Sequence, residues 1–348
     1  MTFSFTARNL ESYFESIEVL DEKTVVQRKR VLVKFSEFCK SKYDESSEQI
    51  IEELLKQKPS EMIINACGVL QIYINYLKKE GKVVATQKGY ISHVRNYLHY
   101  RGVKITSEDM QQVNFPKEEK EEKYPLHKDE IKQILDNCKY KKKGLYLTLV
   151  SSAMRIGETV QLRKKDFDLS GKRTMIRIPA KIAKFKKART TFISKEADSY
   201  VKKRLNEIED NDLVFGTSEI LHNCESNEVT QFQKLTDKIF PKLEKYGSGH
   251  RKITLHSFRA YCITKAVRTV GDSFAHVLAG QEGYLKMYKR YDKEDLIEDY
   301  LKLEPALFIM NDFGLLEPKD KEIKDLQDGL RDVKIILDEL VKRQGKQV

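Results

Sequence analysis

The chain has 348 residues, of which 64 are Lys or Arg and 53 Asp or Glu, a formal net charge of +11. That length suits two ordinary domains, and the basic excess favours a polyanionic partner through phosphate neutralisation and counterion release. The dispersed Cys39, Cys67, Cys138, Cys224 and Cys262 form no C-x-x-C pair, which argues against a disulfide framework or a zinc site.

From about Leu10 to Val113 the pattern is helical, with no convincing strand. Val26, Val31, Val33, Phe35 and Phe38 are the apolar positions of one helix among Arg28, Lys29, Arg30 and Lys34. Ile63, Ala66, Leu70, Ile74 and Leu77 recur at spacings of three and four, the mark of an amphipathic helix. A third helix turns Ile91, Val94 and Leu98 inward and Lys88, Ser92 and Arg95 outward, and ends at Gly102. Cys67 and Cys138 fall on apolar faces as small core residues. Residues 1–112 are thus predicted to form one helical domain. Pro116 and Pro125 bracket a run of alternating charge that cannot bury anything, so 113–124 is the expected linker.

The second domain, 125–316, opens with a helix that buries Ile131, Ile134, Leu135 and Cys138. An apolar segment, Leu145 to Val150, then leads into Ser151-Ser152-Ala153-Met154-Arg155-Ile156-Gly157-Glu158. Glu158 is placed to hold Arg155 by hydrogen bonding. Residues 173–194 read as a β-hairpin, with Thr174, Ile176 and Ile178 alternating before a very basic turn and Thr191-Phe192-Ile193 returning. Helices are expected at 195–208 and 229–243, and a short buried strand at 213–215.

Farther on, His256 and Arg259 stand at i and i+3 and share a helical face. An Arg fork and an imidazole facing one way can hold two oxygens of a phosphate. A phenol beside a clamped phosphate is a nucleophile for a phosphodiester, and Tyr284, Tyr288 and Tyr291 follow at spacings of four and three. Leu303 to Met310 is too apolar to lie free and needs a groove. Residues 317–348 place Ile323, Leu326, Leu330, Val333, Leu337 and Leu340 on a heptad seam, the signature of a coiled-coil or partner helix.

These motifs resemble the tyrosine recombinase, or phage integrase, family, most strongly between 145 and 291. The resemblance implies a mainly α fold with a small antiparallel sheet: a helical core-binding domain joined to an α+β catalytic domain in a C-shaped clamp around DNA. It implies Arg155 as the first catalytic Arg and His256-x-x-Arg259 as the second motif. Tyr291 becomes the nucleophile, with Tyr288 the runner-up. The catalytic Lys of the hairpin aligns best with Lys184, then with Lys186 and Lys181. The family carries a His or Trp after a Gly that ends a short apolar helix; here that slot follows Gly280 and falls to Gln281 or, without a gap, to Glu282. Gln281 is preferred because a carboxylate would repel the phosphate. DNA contacts are expected from Lys88, Ser92, Arg95, Lys181, Lys186, Lys187 and Arg189; Leu303 to Met310 could dock on a neighbouring protomer, as a C-terminal element does in the family, and the heptad helix could equally pack back on its own domain.

The implied activity is site-specific recombination of double-stranded DNA through a 3′-phosphotyrosine intermediate, by a homo-tetramer on DNA that is a monomer or dimer when free. No metal or cofactor is expected, nor is a signal peptide or membrane span, so the location is the cytoplasm, at the nucleoid. The Lys-rich, Trp-free composition fits an archaeal-type integrase of a mobile element. Two rivals remain: a catalytically impaired DNA-binding relative, motivated by Gln281, and a type IB topoisomerase-like enzyme.

Overall fold

In the computed structural model, residues 8–118, 121–218, 220–281 and 292–310 are described. Tyr284, Tyr288, Tyr291, Glu282 and the heptad seam lie outside them. The chain divides into two compact units, Met1–Glu121 and Glu122–Val348. None of the described helices is long and apolar enough to cross a membrane.

The first unit is helical throughout: α1 (Leu10–Ser16), α2 (Glu22–Tyr43), α3 (Ser47–Leu55), α4 (Pro59–Lys79) and α5 (Val84–Arg101). Local chemistry sets the ends. Asp21 caps α2 by accepting from Thr24 N, and Gly102 closes α5 in the left-handed region, each satisfying backbone groups that the helix leaves free. The core centres on Tyr73, whose ring lies 5.1 Å from Phe35 and 4.8 Å from Phe38. Ala66, Leu70, Ile74 and Leu77 are buried as their spacing requires, and so are Ile91, Val94 and Leu98.

Two expectations for this unit change. Val26 and Val33 are exposed, because α2 seats Val31, Leu32, Phe35 and Phe38 instead; seven residues apart, the two valines share the opposite face. Val113 and Phe115, expected in the linker, pack on the helical core.

The second unit begins with α6 (Lys128–Asp136), α7 (Tyr140–Ser152) and the single turn α8 (Ile156–Thr159). A sheet follows in the order β1 (Phe167–Asp168), β2 (Met175–Ile178), β3 (Arg189–Phe192), antiparallel throughout. Then come α9 (Lys195–Asn206), α10 (Leu221–Ile239), α11 (Leu255–Thr269), α12 (Asp272–Ala279) and α13 (Lys293–Leu303). The predicted strand at 213–215 is only a bridge between Leu213 and Arg163, and α10 starts earlier than the periodicity indicated.

Helix α7 is the axis of this unit. Every residue from Gly144 to Ser152 is buried, as expected of a helix that is apolar all round. Its Thr148, Ser151 and Ser152 hydroxyls are satisfied by the carbonyls of Gly144, Leu147 and Thr148, which lets them sit in the core.

The segment after α13 finds the groove it needs within its own unit. Leu303, Leu307 and Ile309 join this unit's own core, and Phe308 is buried as well. Two buried carboxylates fasten the segment. Glu196 accepts from Ile309 N at 2.8 Å and Met310 N at 2.5 Å. Glu304 accepts from Arg173 Nε and from Lys195 N, both at 2.7 Å.

Candidate active site

The site is assembled at the C-terminal end of α7. A helix leaves its last carbonyls without intrahelical partners, and here three side chains from distant segments take them. Tyr300 Oη donates to Ser151 O at 3.0 Å, Thr191 Oγ1 to Ser152 O at 2.7 Å, and Arg259 Nη1 to Ala153 O. Ala153 holds φ of 54°, a left-handed turn that costs an L-residue about 1–2 kcal/mol. That turn ends α7 and delivers Arg155 as the cap of α8.

Arg155 is bound to Glu158 three residues on. Glu158 accepts from Arg155 N at 3.1 Å and Arg155 Nη1 at 3.2 Å. It also accepts from Arg189 Nη1 at 3.2 Å, Arg189 Nη2 at 2.6 Å and Lys184 N at 3.4 Å. This carboxylate is almost fully buried, and burial alone would raise its pKa; its bonds to Arg189 and Arg155 outweigh that and hold it below the ordinary value. A Cβ on Gly157 would lie 3.2 Å from the Glu225 carboxylate, so that carboxylate packs closely on the turn.

Arg259 lies on α11 with only 1% of its surface exposed. Besides Ala153 O, it donates from Nη2 to Ala279 O at 2.7 Å, so it braces the end of α12. Burial lowers its pKa to about 10, and Arg155 and Arg189 push the same way. The guanidinium therefore stays charged at neutral pH. His256, one turn earlier, keeps solvent access. Its pKa nevertheless lies below the usual imidazole value, first through partial desolvation and then through the positive charges of Arg259, Arg155 and Lys184.

The hydrogen bonds show which predicted residues the structure brings together: Arg155 and Lys184 meet at Glu158, and Arg259, with His256 one turn before it on α11, is tied to Ala153 beside Arg155. Lys184 follows the buried Ala183 and, of the three candidate lysines, is the one whose charge reaches His256. Lys181, Lys186 and Lys187 are exposed on the same turn. Between Arg155 and Lys184 sits Phe185, its ring centroid 5.5 Å from the guanidinium and 5.9 Å from the ammonium. Gln281 follows the left-handed cap Gly280 and is exposed, its N–H donating to His276 O at 2.9 Å. Among the described residues no group of three His, Cys, Asp or Glu could hold a metal ion.

In the first unit Lys88 and Ser92 are exposed, whereas Arg95 is half-buried and donates to Ile105 O at 2.8 Å, fixing the loop after α5. Arg189 departs most from its expected place. It faces Glu158 rather than solvent, and the signal lay in the strand alternation. Arg189 pairs with Ile178 and Thr191 with Ile176, on the face that carries the buried isoleucines.

Comparison with known proteins bears on the family and the fold. Residues 125–279 match the model of the phage integrase family. No curated protein matches the chain by sequence. Among solved structures, a λ integrase fragment, determined as a dimer bound to a core site, gives a TM-score of 0.57 at 15% identity, covering 82% of this chain and 96% of that one. The Tn1549 transposon integrase, in complex with transposon right-end DNA, gives 0.55 at 14% identity and covers 86% and 99%. The XerH site-specific recombinase, bound to its difH substrate, gives 0.51 at 18%, covering 85% and 83%. These likenesses show the fold. Residues 125–279 therefore form a domain of the phage integrase family, the family of the tyrosine site-specific recombinases.

Proposed function

We propose that the chain cuts and rejoins double-stranded DNA at specific sites through a covalent 3′-phosphotyrosine. The observation that carries this is the joining of three segments at one place: Arg155 and the Lys184 main chain both bind Glu158, and Arg259, on the same helix as His256, donates to Ala153 O two residues before Arg155. Phosphoryl transfer needs positioning and neutralisation of charge more than elaborate covalent chemistry. Arg155 and Arg259 flank the scissile phosphate and stabilise the charge that grows in the transition state. His256, neutral at pH 7, accepts the proton that Tyr291 must lose, since a phenol titrates near 10. Lys184 protonates the departing 5′-oxygen, and Gln281 donates to a phosphate oxygen. Tyr291 is assigned from its place in the family motif.

The liberated 5′-hydroxyl of a partner strand then attacks the phosphotyrosine, so bond energy is conserved and no ATP is needed. Lys181, Lys186 and Lys187 on the hairpin, with Lys88, Ser92 and Arg95 of the first unit, contact the DNA. The working assembly is a homo-tetramer on DNA in the cytoplasm, at the nucleoid.

The test is a suicide duplex, nicked beside the scissile position and built from DNA flanking the gene. Wild-type protein should give an adduct that survives denaturant. Tyr291→Phe should abolish it, and Arg155→Ala should slow it by about 10²–10³-fold, the usual cost of one transition-state donor. DNA binding without any adduct would overturn the enzymatic reading in favour of a binding protein. Relaxation of supercoiled DNA lacking such a site would favour the topoisomerase reading.

A further inference from the structure

Arg189 was expected on a DNA phosphate, yet its side chain is turned away from any such contact. Its guanidinium meets the Glu158 carboxylate with both terminal nitrogens, at 3.2 and 2.6 Å, and only 10% of the side chain is exposed. Its stem is equally constrained. A Cβ on Gly280 would lie 2.5 Å from Arg189 Cδ and 2.8 Å from Nε. The arginine thus lies directly on the backbone cap that presents Gln281. Because its far end is pinned by Glu158, it cannot swing aside as a surface arginine would.

The charges explain why a second arginine is there. Glu158 orients Arg155, but a buried carboxylate so close would cancel much of Arg155's attraction for a phosphate. Arg189 answers that carboxylate with a fork of its own. Two positive charges against one negative leave the group cationic toward the phosphate, where Arg155 and Glu158 alone would be neutral. The same residue joins the two halves of the site, the α8 turn with Arg155 and the α12 cap with Gln281.

We propose that Arg189 is a positioning residue of the active site, acting through Glu158 on Arg155 and through Gly280 on Gln281, and not a DNA contact. This rests on the recombinase reading above. A residue with this role acts on the rate of cleavage at the scissile phosphate, while affinity for arbitrary duplex, which does not engage the catalytic pocket, stays as it was.

The test uses the full chain and two probes. On a 40-base-pair duplex of arbitrary sequence, Arg189→Met should bind as wild type does, with the same dependence on salt. Loss of one phosphate contact would lower the slope of log K against log salt by about 0.9. On the suicide duplex at saturating DNA, Arg189→Met should form adduct about 10²-fold more slowly, the scale of a small misplacement of catalytic groups. Arg189→Met with Glu158→Gln should recover roughly tenfold of that loss, because the uncompensated carboxylate is gone. The double variant also stands in if the single one does not fold: it should fold and form adduct no more slowly than Glu158→Gln alone.

A reduced salt slope with an unchanged adduct rate would overturn the proposal. So would double-variant losses that simply multiply, which mark a merely structural residue. If wild-type protein forms no adduct, the recombinase reading fails and takes the positioning role with it. If wild type and Arg189→Met form adduct equally fast, the positioning role alone fails.

Discussion

At the scale of the residue, the site depends on how each charge is answered. Glu158 is held by two guanidinium groups and two main-chain amides, and Arg259 by two carbonyls at helix ends. His256 has cations on its approach and no carboxylate among the groups that shift it. Its lowered pKa gives a sign that can be checked. Imidazole ordinarily titrates near 6.5, so His256, with its pKa lowered, is mainly neutral at pH 7, and the acid limb of the cleavage rate should have its midpoint below 6.5. The stability linked to this group is present in full above the unfolded value near 6.5 and is lost through the same lower window. Glu158, also lowered, contributes stability that is present above its unfolded value and lost as pH falls through its folded one. A rate–pH profile, with the His256 ring titrated by NMR, measures both; an acid limb above pH 6.5 would contradict the assignment. Arg155, His256 and Arg259 were legible in the sequence because their motifs are local. Arg189 was misplaced there because its partner, Glu158, lies on another element, and only strand alternation hinted at its direction.

At the scale of the element, α7 organises the catalytic unit because its exposed carbonyl end is satisfied by side chains from β3, α11 and α13. The segment after α13 is held in the same way, by Glu196. Glu196→Ala would leave the buried Ile309 N–H and the half-buried Met310 N–H without their acceptor, at about 1–3 kcal/mol for a buried group and less for the other. Chemical denaturation should show a loss of about 2–5 kcal/mol, and hydrogen exchange should quicken at Ile309 and Met310; a loss below about 0.5 kcal/mol would show that the carboxylate is not holding the segment. Helix positions such as Ala66, Leu70, Ile74 and Leu77 were readable from period alone. The direction of Leu303 to Met310 was not. Hydrophobicity says that such a segment must be covered, but the groove that covers it is built from residues a hundred positions away.

At the scale of the whole molecule, the two compact units part within a stretch that the sequence marks as charged and flanked by Pro116 and Pro125. Limited trypsin digestion should cut first among Lys117 to Lys123, a run without an apolar residue, and leave two fragments that each melt cooperatively. First cuts inside α2 or α7 would contradict that division. The basic excess adds a further expectation: affinity for arbitrary duplex DNA should fall steeply and linearly in log K against log salt.

The central claim is that the phosphate site made by Arg155, Lys184, His256 and Arg259 serves Tyr291. The most direct test is to trap the protein on a suicide duplex, digest it, and sequence the peptide left attached to DNA by mass spectrometry. The account predicts one DNA 3′-phosphate linked to Tyr291 and no linked peptide from Arg155→Ala at matched times. Linkage at Tyr284 or Tyr288, or none to any tyrosine, would contradict it.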